Sequence, residues 1–361
     1  MSNKLRNIIV PTVFLTVLIL VFIFNIFKHD TEISISERRK LAQFPEFSLS
    51  NLFNGTFFSK FDTYVNDQFI NRDAFRTVKA KLDLGLKGNY HNIYIKDDYL
   101  IEQTYPLSES SVNNLTNKIT NIKEKYLTNN KIYFSIVPDK NYFVNDGNLK
   151  MNYNLLENFM KEKLNFATYI SIFDKLELTD YYKTDSHWKQ QNIQDVADVI
   201  LTTMNTDYAG SANYTTENVI NFKGAYAYQL PVDTDYDTIN VLTNETIKNA
   251  KVFNYSTNTY TDVYDLTKKE SMDKYDIYLS GATPLLDIYN TSNANGKELI
   301  VFRDSFGSSL TPLLLDCYSK ITVVDTRYIS PSILGNYIEF NNKDVLFLYS
   351  VSIINNSYSL K

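Results

Sequence analysis

The chain has 361 residues, 44% of them hydrophobic, with a formal net charge of −5. That length holds one large domain or two smaller ones with a sizeable core, and the charge balance gives no basic face for nucleic acid. The single cysteine, Cys317, excludes an intramolecular disulfide and sits in the apolar run Leu310–Tyr318, where it reads as a small buried hydrophobe. The abundance of Tyr, Asn, Lys and Ile points to a bacterium with an AT-rich genome. The 14% aromatic share fits that bias and an ordinary core, although Tyr and Trp also stack on sugar rings.

No charge occurs from Asn7 to Phe27. About 20 apolar residues at roughly 1.5 Å each cross the ~30 Å hydrocarbon layer of a bilayer. Lys4 and Arg6 precede the run and place residues 1–7 in the cytoplasm. A cleaved signal peptide has a shorter apolar core and a small-residue cleavage site, and neither is present. Residues 8–27 therefore read as an uncleaved transmembrane signal anchor that holds the rest of the chain outside the cell. Residues 28–90 read as a polar juxtamembrane stretch, broken at Pro45, followed by two amphipathic helical runs. Leu52, Phe57, Phe58, Phe61, Tyr64 and Val65 mark the first; Phe75, Val78, Leu82, Leu84 and Leu86 mark the second. Residues 92–101 read as a β-hairpin.

From residue 108 helices and strands alternate. Ser108–Tyr126 and Tyr153–Leu164 read as helices, Lys131–Val137 and Tyr169–Phe173 as strands, and residues 188–204 as a helix with an apolar stripe from Ile193 to Met204. Between about 206 and 296 the rhythm breaks into Thr-, Tyr-, Asn- and Asp-rich alternating runs such as Lys251–Tyr255 and Tyr275–Leu279, which read as a β-rich insertion. The alternation then resumes with strands at Glu298–Phe302, Ile321–Val324 and Val345–Tyr349 and a helix at Ser308–Tyr318. Strand–helix alternation of this kind predicts an α/β fold with a largely parallel sheet over residues 91–361.

Two short motifs carry the chemistry: Thr184-Asp185-Ser186-His187-Trp188 and Arg303-Asp304-Ser305-Phe306-Gly307. Ser305 follows a buried-looking strand and precedes a helix. Such a turn exposes a side chain at the sheet's C-terminal edge and aims backbone N–H groups at a developing oxyanion. The same position suits a plain helix N-cap. Among the three histidines, His29, His91 and His187, only His187 has a carboxylate two residues away. Asp185 can accept its Nδ1 proton and leave Nε2 for a serine; the alternative is a partly exposed histidine at a helix start, capped by Asp185 or Ser186. One histidine and scattered carboxylates do not make a zinc-type set, so no metal and no cofactor are expected.

These residues resemble the DHHW family and its relatives, the AlgJ- and AlgX-type alginate O-acetyltransferases, which are SGNH-hydrolase-like proteins. The resemblance runs from about Glu37 onward. It includes Glu37-Arg38-Arg39-Lys40-Leu41, Asp67-Gln68-Phe69 with Asn71-Arg72, Pro138-Asp139-Lys140, the Asp185/His187/Trp188 set, Gly224, Arg303-Asp304-Ser305-Phe306 and Asp325-Thr326-Arg327-Tyr328. It implies a three-layer α/β sandwich and a triad of Ser305 as nucleophile, His187 as base and Asp185 as orienter, in an order permuted from ordinary SGNH hydrolases. Ser186 stands where the name-giving motif has its first histidine, so no second histidine can assist. Trp188, Asp304, Arg327, Tyr328, Lys140 and Gly224 are expected at the substrate or the oxyanion. The implied activity is O-acetylation of an exported or cell-wall polysaccharide, with a multi-pass membrane acyltransferase as partner and acetyl donor. An extracellular carbohydrate acetylesterase and a non-catalytic assembly protein of a polysaccharide export complex remain the alternatives.

Overall fold

The structure, a computed structural model, describes residues 3–145, 147–204, 210, 212–293 and 296–361. The start of the expected insertion (206–209 and 211) and part of its end (294–295) lie outside the described residues. The chain divides into two units, Met1–His91 with Tyr228–Asp233, and Asn92–Ala227 with Thr234–Lys361.

The first unit begins with α1 (Asn3–Phe27). Its segment Leu5–Phe27 is long and apolar enough to cross a membrane, and none of it is buried by protein. The same length and composition serve a single-pass anchor or a signal peptide. A two-residue hairpin pairs Ile33–Ser34 with Arg39–Lys40. A short helix, Leu49–Phe53, then leads to α2 (Thr56–Asp67) and α3 (Arg72–Lys87). Gly88, at φ 76°, ends α3 in the left-handed conformation that glycine adopts without strain. Motifs thirty residues apart in sequence meet here. Arg39 forms a two-pronged pair with Asp67, and Arg72 another with Glu37. Hydrogen bonds from Arg39 hold the Asp67 carboxyl down to about 2, against the opposing effect of burial.

The second unit is built on one eight-stranded sheet. In chain order its strands are β1 (Ile132–Val137), β2 (Thr168–Tyr169), β3 (Lys251–Asn254), β4 (Thr259–Thr261), β5 (Leu285–Tyr289), β6 (Glu298–Arg303), β7 (Lys320–Val324) and β8 (Asp344–Ser350). Their order across the sheet is β4-β3-β5-β7-β6-β8-β1-β2. The five strands from β7 to β2 pair in parallel, whereas β5, β3 and β4 add antiparallel edges. The sheet is buried on both faces, and its side chains sort by the period of two that a pleat imposes. Leu299, Val301, Leu346 and Leu348 enter one core with α6 (Gln194–Met204) and the segment after β6. Ile300, Phe302, Val345 and Phe347 enter the other with α4 (Glu109–Tyr126) and α5 (Tyr153–Lys163). Three layers result.

Several expectations shift in detail. The β-rich insertion is real as a change of pattern, but β3, β4 and β5 extend the main sheet, while Thr215–Phe222 and Asp237–Thr243 form a separate hairpin. Tyr169–Phe173 pairs with β1 only at its start, through Tyr169 and the Ile170 N–H, which donates to the Phe134 carbonyl; Phe173–Lys175 turns into a 3-10 helix. Tyr275–Leu279 is no strand either: Lys274–Ile277 is a 3-10 helix. The helix expected from residue 188 starts at Gln194, and Trp188 instead bridges back to Tyr181.

Phe302 is fully buried and stacks on Phe347, with ring centroids 4.7 Å apart at 14°. Phe302→Ala should cost about 3–5 kcal/mol. It should lower the denaturation midpoint of the full chain while leaving the denaturant slope unchanged.

Candidate active site

The parallel strands all end at one edge, and the turns there carry charged and polar groups: Lys140 after β1, Asp304 and Ser305 after β6, Asp325 after β7, Ser350 ending β8. Ser305 sits in the tight turn between β6 and a short helix, α7 (Phe306–Leu310). Its side chain makes no capping bond to that helix. Its Oγ lies 2.7 Å from His187 Nε2. His187 Nδ1 lies 2.5 Å from Asp185 Oδ1. Ser305, His187 and Asp185, expected as a triad, are therefore brought into one hydrogen-bonded line across 118 residues of sequence.

The loop bearing His187 is fixed from below and from the side. Asp185 is 1% exposed and accepts from the His187 N–H at 3.0 Å and, on its other oxygen, from the Ala225 N–H at 2.8 Å. Burial alone would raise its pKa, but the His187 charge and these hydrogen bonds hold it well below the usual carboxylate range. Asp185 caps no helix, and neither does Ser305, so the structural readings left open by the sequence do not describe these side chains. Gly224 runs against Asp185 so closely that a Cβ there would sit 2.2 Å from the Asp185 Cβ. The Gly224 N–H donates to Thr184 Oγ1 at 2.8 Å.

Asp237, in the hairpin of the inserted region, carried no sequence signal. It accepts from the Lys183 N–H, the Thr184 N–H and the Thr184 hydroxyl at 2.9, 2.7 and 2.6 Å, and so latches the segment that leads into Asp185. Tyr275 is a second residue the sequence hid. Its ring stacks on the His187 imidazole at 3.8 Å and 10°, and its hydroxyl meets Ser309 Oγ at 2.7 Å. Its only sequence signal was an aromatic alternation that read as a strand.

Several side chains expected at the substrate or oxyanion have other partners. Trp188 is fully buried and donates to Ser309 Oγ at 2.9 Å, which ties the His187 loop to the helix behind Ser305. Asp304 accepts from the Phe306 N–H at 3.0 Å and the Ser350 N–H at 2.7 Å, bracing the turn that presents Ser305. Lys140 is buried under the loop, with Nζ donating to the carbonyls of Tyr182 and Lys183 at 3.0 and 3.2 Å. Arg327 grips Asp325 through two bonds of 2.9 and 2.6 Å. Tyr328 alone of this set is well exposed, at 45%. The amides of Phe306, Gly307 and Ser308 are engaged within the turn, on Asp304 Oδ1, the Asp304 carbonyl and the Ser305 carbonyl. Among the described residues no group of three His, Cys, Asp or Glu side chains is placed to hold a metal.

Two consequences are measurable. Gly224→Ala must push Asp185 aside, so it should impair any activity of Ser305 far more than it impairs folding; kcat and thermal midpoint measured together check this. Burial pushes the Lys140 ammonium down to about 7, with Asp185 and Asp237 opposing. The unfolded chain then binds more protons than the folded one between about pH 7 and about pH 10. Wild-type stability should rise with pH across that window, by at most about 1.4 kcal/mol per pH unit, and Lys140→Met should lose that slope.

The fold is shared with solved structures. A DHHW family protein from Eubacterium siraeum matches with TM-score 0.59 and 19% identity, covering 74% of this chain and 92% of that one. PatB1 of Bacillus cereus, solved with a sulfonyl adduct, matches with TM-score 0.58 and 18% identity, covering 73% of this chain and 95% of that one. The O-acetyltransferase domain of Pseudomonas putida AlgJ matches with TM-score 0.46 and 11% identity, covering 73% and 92%. No curated protein matches the chain in sequence. The family model described as DHHW protein matches residues 37–148, which run from the Glu37 ion-pair cluster of the first unit to the loop after β1 that carries Lys140.

Proposed function

We propose that the chain is a membrane-anchored, extracytoplasmic O-acetyltransferase that carries an acetyl group on Ser305 to a hydroxyl of an exported or cell-wall polysaccharide. The observation that carries the reading is the unbroken line from Ser305 Oγ through His187 to the buried, ionised Asp185. In that line His187 takes the Ser305 proton as Oγ attacks the acetyl carbonyl. The bond from the carbonyl carbon to the donor's oxygen or sulfur breaks, and His187 returns the proton to the departing group. A sugar hydroxyl then gives its proton to His187 and attacks the acetyl-serine. The new ester leaves as Ser305 recovers its proton. With the three following amides engaged, the Ser305 N–H is the donor that this turn offers to the oxyanion; losing such a donor typically costs ~10²–10³ in rate.

The apolar α1, preceded by Lys4 and Arg6, supports a placement outside the cell, where cytosolic acetyl-CoA could not reach the serine. A multi-pass membrane acyltransferase is accordingly the proposed acetyl donor. Water in place of the sugar hydroxyl would make the same triad an acetylesterase.

Ser305→Ala should abolish polymer acetylation in cells. Asp185→Asn, which keeps the shape but loses the charge that fixes the imidazole tautomer, should lower kcat by up to about 10⁴-fold. A sulfonyl fluoride should label Ser305 in the wild type, with loss of fluoride and a mass increase on that residue, and should leave Ser305→Ala unlabelled. Normal acetylation in the Ser305→Ala strain would sink the proposal. Acetyl-ester hydrolysis that an oligosaccharide acceptor does not divert would assign the esterase.

A further inference from the structure

Helix α3 carries an apolar stripe that the described residues leave uncovered. Phe75, Val78, Leu82 and Leu86 recur at steps of three and four, so they share one face. They are 61%, 56%, 58% and 82% exposed. Ala80, the buried residue of this helix, lies on the other face. Aligned apolar surface left in water is unfavourable by about 25 cal/mol per Å², and such a stripe marks a contact.

The position of the helix says what covers it. Ile70, just before α3, donates its N–H to Asn25 Oδ1 at 2.9 Å. Lys28 Nζ reaches the Gln68 carbonyl at 3.2 Å. Asn25 lies in the last turn of α1 and Lys28 directly follows it, so α3 starts at the level where the apolar span ends. Charge agrees with that placement. Arg72, Arg76, Lys79, Lys81 and Lys87 outnumber Asp73 and Asp83; with Glu37, which pairs with Arg72 and Arg76, the helix still carries a net +2 in a chain of net −5. A basic amphipathic helix at headgroup depth fits an anionic lipid surface. Exposed Phe53 and Phe58, in the adjoining helices of the same unit, add aromatic groups of the kind that populate this layer.

We propose that α3 lies along the headgroup layer of an anionic bilayer as a second membrane contact beside α1. Its stripe enters the acyl boundary and its lysines lie among the lipid phosphates over a length of about 24 Å. The proposal rests on α1 acting as an anchor.

The test uses the full chain reconstituted into vesicles of phosphatidylcholine and phosphatidylglycerol that contain lipid brominated in the acyl chains. Trp188 is the chain's one tryptophan and is fully buried, so it gives a constant background. Leu82→Trp and Leu86→Trp should each add emission that the bromolipid quenches several-fold more than the emission added by Lys81→Trp, on the flank of the stripe. The difference should shrink without phosphatidylglycerol and with added salt. Equal, weak quenching at all three positions, with the chain still resisting alkaline extraction, would overturn the proposal while leaving the anchor intact. Protection of positions 82 and 86 that tracks a crosslinked dimer, without bromolipid quenching, would overturn it in favour of a second copy of the chain. Release of the chain by alkaline extraction would overturn the anchor reading, and the proposal with it.

Discussion

The Asp185 carboxylate is the constraint on which the site depends. A carboxylate taken out of water keeps its charge only where hydrogen bonds and an opposite charge replace the lost hydration. Here three donors do so: the His187 ring, the His187 amide and the Ala225 amide. Each of them also fixes something else. The ring bond sets which imidazole nitrogen faces Ser305. The amide bond curls the chain from 185 to 187 into a turn. The Ala225 bond draws the 224–225 backbone against the acid, which is why a Cβ at Gly224 has no room. Asp237 holds the preceding residues in the same way, with three donors on its two oxygens.

A second layer of charge fixes Ser305 from the sheet side. Arg303 is fully buried, lies 3.5 Å from Asp325, and donates to the Gly281 carbonyl. Asp325 is shared with Arg327, and Asp304 joins the β6 turn to the end of β8. Burying such charges is itself unfavourable, and removing one partner of such a pair typically costs about 3–5 kcal/mol because the other charge is left uncompensated. This arrangement is poor value as a source of stability. It makes sense as a way to hold the ends of β6, β7 and β8 in one relation, so that a serine on the first of them meets an imidazole from a loop outside the sheet.

Much of this was legible in sequence wherever a local pattern had a local cause. β6 and β8 are continuous apolar runs because both faces of the sheet are covered. α4 begins at the Ser108 cap and α5 at the Asn152 cap. The Asp185–His187–Ser305 line was legible because Asp185 and His187 share one turn and Ser305 sits at a strand–helix junction. Asp237 and Tyr275 were not, because each acts through a fold that brings distant segments together, and an aspartate in a polar loop or a tyrosine in a tyrosine-rich chain has no neighbour that marks it. Trp188, expected at the substrate or the oxyanion, is enclosed instead, and its indole ties the His187 loop to Ser309. Tyr169–Phe173 read as a full strand on its β-rich composition, but it lies at the sheet edge: the Ile170 N–H still donates to the Phe134 carbonyl, the Ile170 carbonyl is taken by the Ser135 hydroxyl, and Phe173–Lys175 turns into a 3-10 helix.

The aromatic enclosure of His187 bears on whether an acetyl-serine would meet water or sugar. Tyr275 covers one face of the imidazole, Phe306 leans on it at 4.8 Å, and the residue is only 8% exposed. Nδ1 is committed to Asp185, so Nε2 is the basic atom that remains for an incoming hydroxyl. A polymer hydroxyl, delivered by binding along its neighbouring sugars, arrives with its translational entropy already spent. Were Ser305 to carry an acetyl group, a bound acceptor would compete with water through positioning rather than through a stronger base. On that argument, residues that separate the two activities would be those that hold an acceptor near Ser305; Trp188 is fully buried and offers no face to one, whereas Tyr328, three residues beyond Asp325, is 45% exposed.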